Sequence, residues 1–477
     1  MRNVLVLTAA LLASACAVGP SYQEPATHVA DQFVGAQDPA FGAATVQTKF
    51  WTVFDDATLS SLVTDALKAN HDLRIAAARL AEARALHRDS QFDFGPVVTA
   101  GASATRNRVS TATLPGIPEQ GRKFDLYDTG FDAVWEIDAF GGVRRSVEAS
   151  SAEVGGALAA LDDTLVTLTS EVGRNYFELR GFQARYAVAR RNADNQRQTL
   201  QLTQVRLDAG RGTELDVARA QAQLSTTLAT LPQLDAAVAR AQYRLEVLTG
   251  RQPGQLQQQL ATQPVPRVPG FVPVGSPEDW LRRRPDIRIA ERNLAAATAR
   301  IGVAVSDLFP KITLIGNFGW NATSSSDVGD AGSQAYHFGP SISWAIFDLG
   351  HVQARIKAAH ARADGALAQY EQTVLEALED TEGSLVTYSR ARERETEHDK
   401  AATASAKATE LARLRYQEGV SDFLQVLDAE RTQLEAEDLL ATGRTETGTA
   451  LVAVYKALGA GWQDIEAPAI TSVSSSN

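Results

Sequence analysis

The chain has 477 residues, enough for a sizeable core, and a formal net charge of -11, which argues against a nucleic-acid binder needing a basic stripe to displace counterions from phosphates. One cysteine, Cys16, excludes an internal disulfide or a Cys-based zinc site, and the seven scattered histidines form no HExxH pattern. With 44% apolar but only 7% aromatic residues, and much alanine, the composition suits long helices packed through small side chains.

The N-terminus reads as an export signal, residues 1–15: Arg2 supplies a positive charge, and Val4 to Leu12 is an apolar run too short to span a bilayer. Ala13, Ser14 and Ala15 then lead to Cys16, resembling a bacterial lipobox with cleavage before a cysteine that becomes lipidated. The pattern departs in having Ala13 where leucine is usual, with Leu12 one place further back. Ala17, in place of an aspartate, fits delivery to the outer membrane. No later run of about 18 apolar residues follows, so the mature chain is not expected to cross a membrane as a helix.

Residues 16–56 read as a lipidated N-terminal segment, after which the chain divides into two copies of one unit, 57–250 and 278–459, joined by a Pro/Gln-rich linker at 251–277 and followed by a tail at 460–477. His71-Asp72-Leu73-Arg74-Ile75-Ala76 returns as Pro285-Asp286-Ile287-Arg288-Ile289-Ala290, 214 residues on, and Pro96 and Pro310 keep that spacing. Past the strand runs the spacing becomes 209, matching Trp135 to Trp344, Gly141 to Gly350, Arg206 to Arg415, Gly210 to Gly419 and Gly250 to Gly459. Each copy opens on a helical stretch, Leu59 to Asp93 and Pro277 to Leu308. Within the second of these, Arg282, Arg283 and Arg284 read as a solvated helix start.

Short strand-like runs follow. In the second copy Ile312, Leu314, Gly316, Phe318 and Trp320 alternate with Thr313, Ile315, Asn317, Gly319 and Asn321; beyond a Ser/Gly/Asp loop, Phe338, Pro340, Ile342, Trp344 and Ile346 alternate with Gly339, Ser341, Ser343 and Ala345. In the first copy Phe131, Ala133, Trp135 and Ile137 alternate with Asp132, Val134 and Glu136, whereas Val97 to Thr105 is mostly small residues. Period-two patterning over about ten residues is what a tilted membrane-spanning strand requires, and tryptophan near strand ends favours a membrane interface. A soluble hairpin with one buried face shows the same alternation. An open sheet edge is not tolerated in lipid, and known barrels begin at about eight strands, so four spanning strands demand oligomerisation. Two chains would supply about eight strands and three about twelve, and both satisfy closure.

The longest elements come next. No proline falls between Pro118 and Pro232 or between Pro340 and Pro468. A helix from about residue 140 to 208 would reach on the order of 100 Å and survives in water only by coiling against others. Leu161, Leu165, Leu168 and Val172, and later Leu424, Leu427 and Leu434, recur at coiled-coil intervals. Gly210 and Gly419 stand where the long helices must stop and reverse.

From Cys16 to about Gly461 the chain resembles the TolC-like outer-membrane efflux factors, in their NodT-type lipoprotein branch. The residues that carry the resemblance are Cys16-Ala-Val-Gly-Pro20 with Tyr22 and Pro25; Phe50-Trp51 with Phe54, Asp55, Asp56 and Leu59; Leu281 to Arg288 around Pro285-Asp286; Phe309-Pro310; Phe347 to Gly350; Arg415-Tyr416 with Gly419; and Leu424 to Arg431. The resemblance implies a mixed α/β membrane protein: a homotrimer forming one twelve-stranded transmembrane β-barrel continued by a long α-helical coiled-coil barrel, with a belt built from terminal and linker segments. It implies a passive duct, neither enzyme nor cofactor-dependent and without a metal site, fed by a periplasmic adaptor and an inner-membrane RND-type pump.

The resemblance also implies a gate just after the second Gly turn. Leu424 and Asp428, four apart and so on one helix face, would present an apolar ring and an acidic ring to the axis, the latter favouring cations. Arg431 would neutralise an Asp428 of a neighbouring helix. Asp216 and Tyr416 match positions that link helices in the closed state of relatives. Gln425 stands where some relatives carry a second acidic ring, and Ser421 where some carry an arginine, which implies a less charged gate with fewer links. Two rival readings remain at this level: a periplasmic adaptor lipoprotein, against which the two helical hairpins and two strand pairs speak, and the outer-membrane duct of a protein-secretion system.

Overall fold

The computed structural model of the chain describes residues 17–463 and 465, apart from 43, 114 and 117. Cys16, the export signal and the end of the C-terminal tail lie outside the described residues. In chain order the elements are β1 (Phe41–Gly42), α1 (Ala57–Ala69), α2 (His71–Phe92), β2 (Val97–Arg108), β3 (Lys123–Ile137), α3 (Gly142–Asp208) and α4 (Glu214–Leu248). Then come β4 (Val272–Pro273), α5 (Pro277–Arg283), α6 (Pro285–Ser306), β5 (Lys311–Ala322), β6 (Gln334–Ser343), α7 (Leu349–Gln417) and α8 (Phe423–Ala457). Apart from the two-residue parallel pair β1–β4, the order helix, helix, strand, strand, long helix, helix occurs twice. The long helices α3 and α7 run 67 and 69 residues. No helix among the described residues is long and apolar enough to cross a membrane.

Both opening helical stretches are broken in two, where the sequence suggested one. Asn70 is extended between α1 and α2; its Oδ1 accepts from the Leu73 amide and its Nδ2 donates to the Leu248 carbonyl, so one buried side chain caps a helix and ties it to the end of α4. Arg284 is extended because it precedes Pro285. That break also corrects the reading of the arginine run. Arg282 is exposed, but Arg284 is only 11% exposed and donates to Asp286 (2.6 Å), Asp380 (3.1 Å) and the Ala457 carbonyl (2.8 Å). Its extended backbone turns the side chain back across Trp280 into the packing.

Two compact units partition the chain. The first comprises the described residues up to 26, with 80–157 and 289–371. It holds an antiparallel sheet in the order β2-β3-β5-β6. Register places Phe131 opposite Phe318, Ala133 opposite Gly316, Gly316 opposite Phe338 and Ile312 opposite Ile342, so one face is apolar. The other face carries Asp132 opposite Asn317, joined by a 2.9 Å hydrogen bond, with Ser341 and Ser343. The apolar face is bare: Phe338 is 81% exposed and Ile342 68%. β2 is a full strand despite its small side chains, because its ladder to β3 runs its whole length. β6 stops at Ser343, short of the expected Ile346. Just past that end the Trp344 indole donates to the Leu308 carbonyl (3.0 Å). Trp135 does the same to the Phe94 carbonyl (2.9 Å). Beside the start of α3, Arg145 donates to the Val18 and Gly19 carbonyls, fixing the segment that follows Cys16.

The second unit comprises residues 27–79, 158–288 and 372 onward. Its core joins Leu59 and Leu62 of α1, Leu161, Leu165, Val172 and Phe177 of α3, and Leu451 and Val454 of α8, all 2% exposed or less. Phe50 stacks on Tyr455 at 5.3 Å. The expected Leu161-Leu165-Leu168-Val172 stripe is therefore a true buried seam.

Candidate gate at the helix tips

The candidate site lies wholly in the second unit, where α3 turns into α4 and α7 into α8. Both turns close alike. Gly210 at φ 69° and Gly419 at φ 75° occupy the left-handed region that a side chain strains to enter. Arg211 N donates to the Arg206 carbonyl (2.8 Å) and Val420 N to the Arg415 carbonyl (2.9 Å), the long bond of a Schellman cap. Thr213 and Asp422 then cap the returning helices through the amides of Asp216 and Gln425.

The first two turns of α8 have two different faces. Phe423, Val426 and Glu430, at three- and four-residue spacing, are 3%, 0% and 3% exposed. Phe423 and Val426 pack with Tyr416 and Ala220. Leu424, Asp428 and Arg431 lie off this stripe. Leu424 is 53% exposed, and the Asp428 and Arg431 side chains are about two-thirds exposed. Leu424 and Asp428 thus share one free face, as their spacing requires. Leu424 does not belong to the buried coiled-coil seam that its spacing to Leu427 and Leu434 suggested. Arg431 meets Asp428 of its own helix at 3.2 Å, because three residues on a helix bring the two side chains together. Such an exposed pair contributes little to stability.

Asp216 and Tyr416 each have partners within the chain. Asp216 accepts from the Thr213 hydroxyl (2.7 Å), completing its own helix cap. Tyr416 is buried, and the Arg206 guanidinium lies 4.5 Å from its ring centre while donating to its carbonyl. Burial pushes the Tyr416 hydroxyl above its ordinary range, against the opposing charge of Arg206 and a hydrogen bond from Thr203. No direct hydrogen bond joins Asp216 to Tyr416 among the described residues.

Two residues carry links that the sequence reading missed. Glu430 accepts from the Thr199 hydroxyl (2.6 Å) and from Arg413 Nε and Nη2 (2.9 and 2.7 Å), so one buried carboxylate joins α3, α7 and α8. The signal was present: Glu430 continues the Phe423, Val426 stripe, and an acid on an apolar stripe must find a partner. Arg206 was visible only as a repeat match to Arg415.

The outer membrane efflux protein family matches residues 62–251 and 277–460. The chain belongs to that family. It is similar to outer membrane protein OprJ of Pseudomonas aeruginosa, 32% identical with 97% of this chain and 96% of OprJ covered. It is likewise similar to nodulation protein T of Rhizobium leguminosarum bv. trifolii, 29% identical over 95% of this chain and 96% of that protein. Among solved structures, the outer-membrane channel OprN superposes with a TM-score of 0.89 at 44% identity, covering 94% of this chain and all of that one. As an outer membrane efflux protein, the chain works in export at the outer membrane.

Proposed function

We propose that the chain is the channel subunit of a tripartite efflux pump, a passive duct for drugs or other small molecules gated at its periplasmic helix tips. Three copies close their sheets into one twelve-stranded transmembrane barrel continued by a barrel of helices, each copy contributing two repeats of one unit. A periplasmic adaptor and an inner-membrane RND-type pump supply cargo and energy, and lipid on Cys16 anchors the N-terminus. The observation that carries this reading is the sheet of the first unit, apolar on one face, polar on the other, and ending in two edge strands, β2 and β6. Lipid tolerates no such edge and water disfavours so large an apolar face, so the sheet needs neighbours.

In this reading Leu424 forms an apolar constriction and Asp428 a ring of acids, each tempered by Arg431 of its own helix. Tyr416 contributes to the closed state through Arg206, and Asp216 through the cap that shapes the first tip. The test is conductance in planar bilayers. Asp428→Ala and Leu424→Ala should each raise conductance, Asp428→Ala should also reduce cation preference, and both should sensitise a host strain to vancomycin. Conductance and ion preference unchanged in both variants refute the gate, and a protein that forms no pore refutes the channel.

A further inference from the structure

The closed barrel needs a junction that one chain does not contain: β6 of one copy against β2 of the next. The three ladders within the chain determine its register. A shift of 214 residues carries β2 onto β5, and a shift of 209 carries β3 onto β6. The shifts turn the pair Val97–Val134 into Lys311–Ser343 and the pair Arg106–Asp125 into Trp320–Gln334, both of which are formed. Two hydrogen bonds confirm each shift separately, since Trp135 donates to the Phe94 carbonyl and Trp344 to the Leu308 carbonyl, donors 209 apart and acceptors 214 apart. The two hairpin ladders are therefore in the same register over the pairs they share.

The ladder between hairpins, β3 to β5, then has one counterpart, β6 to the β2 of a second copy. We propose that neighbouring copies pair there antiparallel with Ser341 opposite Ser103, Ile342 opposite Ala102 and Phe338 opposite Arg106, the images of Asp132–Asn317, Ala133–Gly316 and Thr129–Trp320. The inference rests on the closed-barrel reading and adds its register. Faces provide an independent check. Ile342, Pro340 and Phe338 lie on the apolar face, as do Ala102 and Ala104, while Ser341 and Ser103 lie on the polar one. A slip of one residue would set the two faces against each other. Slips of two residues keep the faces matched and are excluded only by the repeat. In the proposed register the exposed, mutually stacked rings of Tyr336 and Phe338 lie opposite the exposed side chains of Arg108 and Arg106 of the second copy, so cations meet ring faces across the junction.

Disulfide trapping reads the register directly, because opposed residues fall within the Cα span a disulfide allows while residues displaced by two lie about 7–8 Å away. Ser341→Cys is combined in turn with Gly101→Cys, Ser103→Cys and Thr105→Cys in the full chain, with each single variant as control, and mildly oxidised in native outer membranes. Ser341→Cys with Ser103→Cys should give covalent trimers at least tenfold more readily than either other pair. Faster trapping of another pair, or no trapping in a protein that still forms trimeric pores, overturns the register and leaves the barrel standing. A wild-type protein that is neither trimeric nor pore-forming overturns both.

Discussion

Replacing Glu430 by alanine removes the one carboxylate that α3, α7 and α8 share. Arg413 would then lose its carboxylate acceptor in a partly buried site, while the Thr199 hydroxyl keeps its longer bond to the Asn195 carbonyl (3.2 Å). Breaking a buried ion pair from one side costs about 3–5 kcal/mol. Arg413 is 28% exposed and can turn partly toward water, which discounts the figure to about 2–3 kcal/mol. The cost is local, so it should appear as easier opening of the tip and not as loss of the assembled channel. Hydrogen exchange of the segments around Gly210 and Gly419 should accelerate roughly 30- to 150-fold, with exchange in α1 unchanged. The paired change Glu430→Leu with Arg413→Met should restore most of the protection, because an apolar pair of similar volume replaces a buried ion pair at little cost. Tip exchange within threefold of wild type for Glu430→Ala would refute the assignment of Glu430 as the shared anchor.

Gly419→Ala places a side chain at φ 75° and should lower the opening free energy of the second tip by about 1–2 kcal/mol, read by the same exchange experiment. Burial pushes the hydroxyls of Tyr176, Tyr388 and Tyr455 up to about 12. Each folded value lies above the unfolded one, so its contribution is intact below about pH 10 and is lost as pH rises toward 12; circular dichroism should show alkaline unfolding in that window. The Tyr455 hydroxyl is buried with no hydrogen-bond partner among the described residues, so Tyr455→Phe should melt no lower than wild type and should resist alkali better.

The turns and strands were legible because they depend on neighbours in sequence. Glycine at a left-handed position and alternation over ten residues are local requirements, and Gly210, Gly419 and β5 follow from them. The phase of α8 was not legible. Leu424, Leu427 and Leu434 have a proper seam spacing, yet the helix buries Phe423, Val426 and Glu430. The two stripes differ by one residue, about 100° of helix, and the acid in the true stripe disguised it. Glu430 is acceptable there only because Arg413 and Thr199 arrive from elsewhere in the chain. The same holds for Arg284, whose partners Asp380 and the Ala457 carbonyl are distant in sequence. β2 was faint for the converse reason: small side chains give no alternation, and its strand character comes from the ladder to β3.

If the tip is the gate proposed above, the unequal strength of its contacts indicates which helices would move on opening. α7 and α8 are held together by the buried Arg413–Glu430 pair, by Thr409 donating to the Ala429 carbonyl (2.9 Å) and by the Tyr416–Phe423 contact. At the tip α3 holds that pair through the Thr199 hydroxyl on Glu430, through Arg206 on Tyr416 and through Leu200 and Leu202 packed on the Tyr416–Phe423–Val426 cluster; further along, Arg185 donates to Asp438 (2.8 Å) and Asn192 to Glu437 (3.1 Å). Rolling α8 alone also breaks the Thr199 bond, so the difference lies between Arg206 on Tyr416, worth about 0.5–2 kcal/mol, and the partly exposed Arg413–Glu430 pair, worth about 2–3 kcal/mol, with the Thr409 bond beside it. Opening by withdrawal of α7 and α8 as one body from α3 is therefore cheaper than rolling α8 alone, and it would carry Leu424 and Asp428 with it. Thr199→Val combined with Arg206→Gln should accordingly raise conductance, whereas Glu430→Leu with Arg413→Met, which also cuts the Thr199 link but spares Arg206, should raise it less. The reverse order would mean that α8 turns independently and that the α7–α8 contacts, not those to α3, hold the closed state.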